Sequence, residues 1–178
     1  MAYFGYVEDT GRKSKGLSTA RRGETPRNTR EHTYKELQMI DYSMLIKSLK
    51  HLEAQYTNFL TIDSRTDLGV LEKEAIKESV IQRFETCYDT LWKTLKRYLI
   101  EELGLPEIPN SPKSLFRIAA ENNLFKTNAE KWLRYADARI YTSPNYSEEK
   151  AEEALLLMHS FIPDAIDLLT KMTGLPWE

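Results

Sequence analysis

From residue 40 onward, apolar positions recur at steps of three and four, the period of a helix with one face turned inward. The stretch IDYSMLIKSLKHLEAQYTNFL places Leu45, Leu49, Leu52, Tyr56 and Phe59 on one face and predicts a helix starting near Asp41. The segment TIDSRTDLG breaks the period and predicts a loop. Residues 70–103 then carry the longest stripe, Ile76, Val80, Phe84, Tyr88, Leu91, Leu95 and Tyr98, widened by Ile81, Trp92 and Leu99. A stripe that wide suits a helix facing a large core and a second chain. Gly104 and Pro106 are its stop signals.

Three shorter helical patterns follow. Ser111 and Pro112 read as the cap and first position of a short helix through NSPKSLFRIAAENNLF. Thr127 and Glu130 have the spacing of a capping box at the start of TNAEKWLRYADARIYT, where Trp132, Tyr135, Ala136 and Arg139 share a face. Ser147 is the expected cap of the last helix, with Glu148 and Glu149 in its favourable first turn, Pro163 inside it as a bend, and Gly174 and Pro176 as its end. No long segment alternates with a period of two. The expected fold is all-α, an up-and-down bundle of about five helices, one of them long.

Residues 1–35 depart from this pattern. They hold few aliphatic residues, four glycines, and eight Lys and Arg against four Asp and Glu, although the whole chain has a net charge of −2. The expectation is a flexible basic extension, able to meet RNA or an acidic partner, ahead of a bundle over residues 40–173. The single cysteine, Cys87, excludes an internal disulfide and sits in the helical stripe as a core thiol. No apolar run is long enough for a membrane span, and the first residues do not resemble a secretion signal, so a cytoplasmic location without membrane contact is expected.

Most chemical signatures are missing from the sequence. His32, His51 and His159 have no metal-ligand spacing. The glutamates of the long helix read as a solvated face, and no glycine loop could cradle a phosphate. No metal or cofactor is expected. Two stretches remain. In SVIQRFETCYDTLWKTLKRYL, the polar residues Gln82, Arg83 and Glu85 interrupt the stripe, and Lys93, Lys96 and Arg97 follow, a pattern of interfaces and clefts. In KWLRYADARIYTSPNYSEEKA, Arg139 ends one helix and Tyr146 immediately precedes the cap of the next, at one end of the bundle near a helix start that suits phosphate.

These two stretches, and their separation, resemble the HEPN superfamily over about residues 40–173, and within it the nucleotidyltransferase substrate-binding proteins close to the HepT toxins. The family signature is Arg, four residues, His, one residue, Tyr, often with Asn directly after the Arg. Arg139 and Tyr146 match the ends, Pro144 stands at the histidine position and Ile140 at the Asn position. The resemblance implies a homodimer with both arginine motifs facing one cleft. It also implies a separately encoded minimal nucleotidyltransferase as partner, and an RNA or nucleotide ligand. In some such pairs the enzyme adds AMP to the motif tyrosine, here Tyr146. Active members are metal-independent endoribonucleases in which the histidine moves protons. Proline has no titratable side chain, and an ordinary tyrosine, with a pKa near ~10, is a poor base at neutral pH. The expectation is binding through a degenerate motif, with Arg139 gripping a phosphate bidentately and Arg83, Glu85, Lys93 and Tyr146 as binding or modification residues, and without efficient cleavage. The alternative is a HepT-type ribonuclease toxin with an altered site.

Overall fold

The computed structural model describes residues 40–142 and 148–178. The basic stretch 1–35, Pro144, Tyr146 and the expected cap Ser147 lie outside the described residues. Among the described residues five helices follow one another: α1 (Ser43–Leu60), α2 (Val70–Glu101), α3 (Pro112–Glu121), α4 (Ala129–Tyr141) and α5 (Glu148–Thr173). The described residues contain no strand, and the fold is an all-α bundle.

The long helix is the centre of the bundle, in contact with each of the other four. Its buried residues are Val80, Phe84, Cys87, Tyr88, Leu91, Thr94, Leu95 and Leu99; Cys87 and Thr94 join the predicted stripe, while its members Ile76, Ile81, Trp92 and Tyr98 are only half-buried. Burial pushes the Cys87 thiol up to a pKa of about 12, so it stays protonated and packs as a small apolar group. Leu45, Leu49, Leu52 and Tyr56 of α1 meet this stripe from one side, and Trp132, Tyr135, Ala136 and Ala138 of α4 are buried in the same core. An aromatic chain joins the helices: Phe161 of α5 stands edge-on to Phe84 at 5.0 Å and to Tyr135 at 5.2 Å, and Trp132 stacks on Phe125 at 4.1 Å. Each fully buried aromatic or leucine side chain contributes about 1.5–3 kcal/mol relative to exposure. Before Val80, α2 has no fully buried residue; Val70 is 74% exposed and Leu71 79%.

Helix boundaries follow local chemistry. The predicted loop contains a single 3₁₀ turn at Ile62–Ser64. At the start of α1, Asp41 Oδ1 accepts the Ser43 backbone N–H at 2.9 Å, which holds the Asp41 carboxyl below its usual pKa. After α2 the chain turns at Gly104, whose φ of +68° favours a residue without a side chain, and the Leu105 N–H closes back on the Leu99 carbonyl. Gly174, at φ +70°, ends α5 in the same left-handed conformation. Ser111 takes the extended cap conformation ahead of Pro112, but its hydroxyl makes no capping bond.

One boundary detail differs from the sequence-based expectation. The cap of α4 is Asn128, whose side chain accepts the Lys131 N–H at 3.0 Å, rather than Thr127. The Thr127 hydroxyl points to Asp164 of α5 instead, at 3.4 Å. Asn128→Ala is therefore expected to lower stability by about 1 kcal/mol, read as a drop of about 2–4 °C in thermal denaturation, and Thr127→Ala by less. As expected, Pro163 lies inside α5. The ring lies on the exposed side between the buried Ile162 and Asp164, so the missing N–H falls on the solvent face.

Asp164 is one of two buried polar residues among those described, and its contacts converge on Oδ2. Its Oδ2 receives the Tyr135 hydroxyl at 2.6 Å and the Lys131 ammonium at 2.8 Å, tying α4 to α5. Burial and the Asp164 hydrogen bond raise the Tyr135 pKa far above that of a free phenol. Behind α5, the Trp177 ring N–H donates to Glu53 at 3.2 Å and the Lys50 ammonium lies over the ring at 5.6 Å, which folds the C-terminal residues back on α1.

Candidate functional site

Arg139 is placed by the helix period. Trp132, Tyr135 and Ala136 anchor α4 in the core, and Arg139, three residues beyond Ala136, emerges at the edge of that face next to α2. Its guanidinium meets two carboxylates one helical turn apart on α2. Nη1 donates to Glu85 Oε1 at 3.0 Å, Nη2 to Asp89 Oδ2 at 3.1 Å, and Nε to Asp89 Oδ1 at 3.3 Å. The Thr142 hydroxyl also donates to Glu85 Oε1, at 2.8 Å, so the end of α4 is tied to α2 twice. Burial works against the guanidinium charge, but Asp89 and Glu85 outweigh it and hold its pKa above the ordinary value.

This geometry refines the expected chemistry. Of the five N–H bonds of a guanidinium, three are used here, and the Nε–Nη2 edge best suited to a bidentate phosphate is already filled by Asp89. Two N–H bonds remain for a ligand. Two carboxylates around one cation leave the cluster with a charge of −1, so a phosphate at Arg139 gains less from electrostatics than it would at a free arginine.

Beside the cluster lies an open groove of about 430 Å³, lined by Tyr88, Asp89 and Trp92 of α2, by Ser111, Pro112 and Lys113 at the start of α3, and by Ala136, Arg139 and Ile140 of α4. Its walls are largely apolar and aromatic, and Arg139 and Lys113 stand on its rim. The Lys113 ammonium is paired with Asp137 at 2.5 Å. Volume and lining are in the range of small-ligand sites, which combine apolar walls with a few placed polar groups.

The structure brings Glu85 to Arg139 but not Arg83 or Lys93. Arg83 is two residues before Glu85, about 200° around the helix, and it faces α1. Lys93 is exposed and makes no ion pair among the described residues. Asp89, which sequence reading passed over, carries more of the Arg139 contacts than Glu85 does. The signal was present: an acidic residue four positions after Glu85 occupies the next turn of the same helix face.

Comparison with known proteins agrees with this architecture. The chain resembles, with a TM-score of 0.52 and 26% identity, a Thermus thermophilus protein of known crystal structure; the match covers 68% of this chain and 98% of that one. A search of curated proteins finds no match. A family model described as nucleotidyltransferase substrate binding protein like matches residues 37–174, which include all five helices and both sequence stretches singled out above, and the chain belongs to that family.

Proposed function

We propose that this chain is the HEPN-type helical partner of a separately encoded minimal nucleotidyltransferase, acts as a homodimer, and binds a nucleotide or RNA through Arg139 without cleaving it efficiently. Family membership supports the association with a nucleotidyltransferase. The observation that carries the ligand reading is the Arg139 cluster at the edge of an aromatic groove. Glu85 and Asp89 fix the guanidinium, two of its N–H bonds are free, and the partly exposed Trp92 ring offers a stacking surface for a base. Lys113 adds a second cation to the rim. Pro144 stands where the resembled ribonuclease signature has the histidine that moves protons, so the motif offers no imidazole beside Arg139 to take and return a proton near neutral pH. Tyr146, two residues later, is the position open to modification by AMP.

The test uses two substitutions with opposite signs. In calorimetric titration of the full chain with AMP, Arg139→Ala is expected to weaken binding roughly ten-fold or more, the usual size for a hydrogen bond to a charged group. Asp89→Asn removes the competing charge and is expected to strengthen binding several-fold. AMP affinity unchanged in both variants would overturn the ligand reading. The partner reading is tested separately, by co-expression with the nucleotidyltransferase of a neighbouring reading frame, where a stable complex is the expected result and independent elution refutes it.

A further inference from the structure

The face of α2 that looks toward α1 carries a second and chemically different surface. Ser79, Gln82, Arg83 and Thr86 of α2, with Ser48 and His51 of α1, line a groove of about 240 Å³ in which every lining residue has a polar side chain and none is a carboxylate. The contrast with the Arg139 groove is large, because that one has mostly apolar walls and an acidic clamp.

The main donor of this groove is unspent. Arg65, Arg97 and Arg139 are each held by a carboxylate, whereas Arg83 makes no ion pair among the described residues, and its Nε is shielded from solvent with no hydrogen-bond partner. The Thr86 and Ser48 hydroxyls are turned inward, donating to the Gln82 carbonyl at 3.0 Å and the Leu45 carbonyl at 2.9 Å. That leaves the Arg83 guanidinium, the Gln82 amide, the Ser79 hydroxyl and the His51 ring as the groups able to donate outward. A guanidinium left without a counter-charge in a partly buried position is costly unless something supplies acceptors. Lys47, one turn before His51 on α1, adds positive charge to the same side.

We propose that this groove is a phosphate-binding site, independent of Arg139, in which Arg83 takes the phosphate and Gln82, Ser79 and His51 donate to its remaining oxygens. The phosphate belongs either to a free nucleotide or to the backbone of an RNA strand. The site lies on the opposite side of α2 from Arg139, so a strand engaged by both would wrap the long helix. Neither site is needed for the other to work.

The experiment is a binding titration of the full chain with AMP and with a fluorescent single-stranded RNA dodecamer, comparing Arg83→Ala, Arg83→Gln and Arg139→Ala. Arg83→Gln keeps most of the side-chain stem and its packing, so it decides the matter if the alanine variant unfolds. Loss of roughly ten-fold or more in affinity for both probes assigns the site to the phosphate group itself. Loss for RNA alone, with the slope of log affinity against log salt shallower by about 0.7, assigns it to one backbone contact of a strand. In both outcomes the Arg83 effect persists in the Arg139→Ala background. Arg83→Gln that binds both probes as the unaltered chain does, or an unaltered chain that binds neither, overturns the proposal. Loss with Arg139→Ala but not with Arg83→Gln overturns this site while leaving the Arg139 reading in place.

Discussion

Phe161→Ala is expected to destabilise the bundle by about 3–5 kcal/mol, the range for deleting a fully buried aromatic ring. The residue has no exposed surface and packs edge-on against Phe84 of α2 and Tyr135 of α4, so one side chain links three helices. The loss combines the transfer energy of the ring with a cavity that neighbouring aromatics, each held by other contacts, cannot close. A domain of this size has a total stability of only about 5–15 kcal/mol, so the variant sits close to its unfolding limit. Thermal denaturation should show a midpoint lowered on the order of 10 °C. A shift of less than about 2 °C would mean that α2, α4 and α5 do not share this contact.

Pro144→His carries the second large expected effect, an increase of up to ~10²–10⁴-fold in metal-free RNA cleavage over the unaltered chain. The substitution places an imidazole with a pKa near ~6.5 five residues after Arg139, the spacing of the ribonuclease signature that the sequence resembles. Arg139 sets the upper bound on the gain. Its side-on edge is taken by Asp89, so the phosphate is gripped only through the two remaining N–H bonds. Ile140 is half exposed beside the groove, at the Asn position of the resembled signature, and Ile140→Asn combined with Pro144→His should exceed the single change. The assay is hydrolysis of a labelled oligoribonucleotide in the presence of a chelator. Cleavage by the unaltered chain at the rate of the histidine variant would show that proton transfer is not what it lacks.

The five helices were legible because each buries one face, and a buried face writes itself into the chain as a period between three and four. The stripe from Val80 to Leu99 and the trio Trp132, Tyr135 and Ala136 were readable on that ground alone. Cap identity was less legible. Thr127 and Asn128 are adjacent and both suit a helix start, and the choice is made by Asp164, 37 residues away from Thr127 along the chain, which draws the threonine hydroxyl into the α4–α5 contact. The Arg139 cluster was half legible. Arg83 and Glu85 look like neighbours in the sequence, but a helix turns them to opposite sides, and the residue that belongs with Glu85 is Asp89. The unpaired state of Arg83 had no sequence signal at all, because it depends on which side chains α1 brings across.

The first ten residues of α2 have a separate consequence. At a rise of ~1.5 Å per residue they form an arm ~15 Å long, and the fully buried core begins only at Val80. A helical segment that short is marginal in water by itself. Its backbone therefore opens and closes with a free energy set by local winding, largely uncoupled from the cooperative melting of the bundle. The long helix is thermodynamically two pieces: a pillar that shares the stability of the whole protein, and a more weakly held extension that leaves Val70 and Leu71 in solvent.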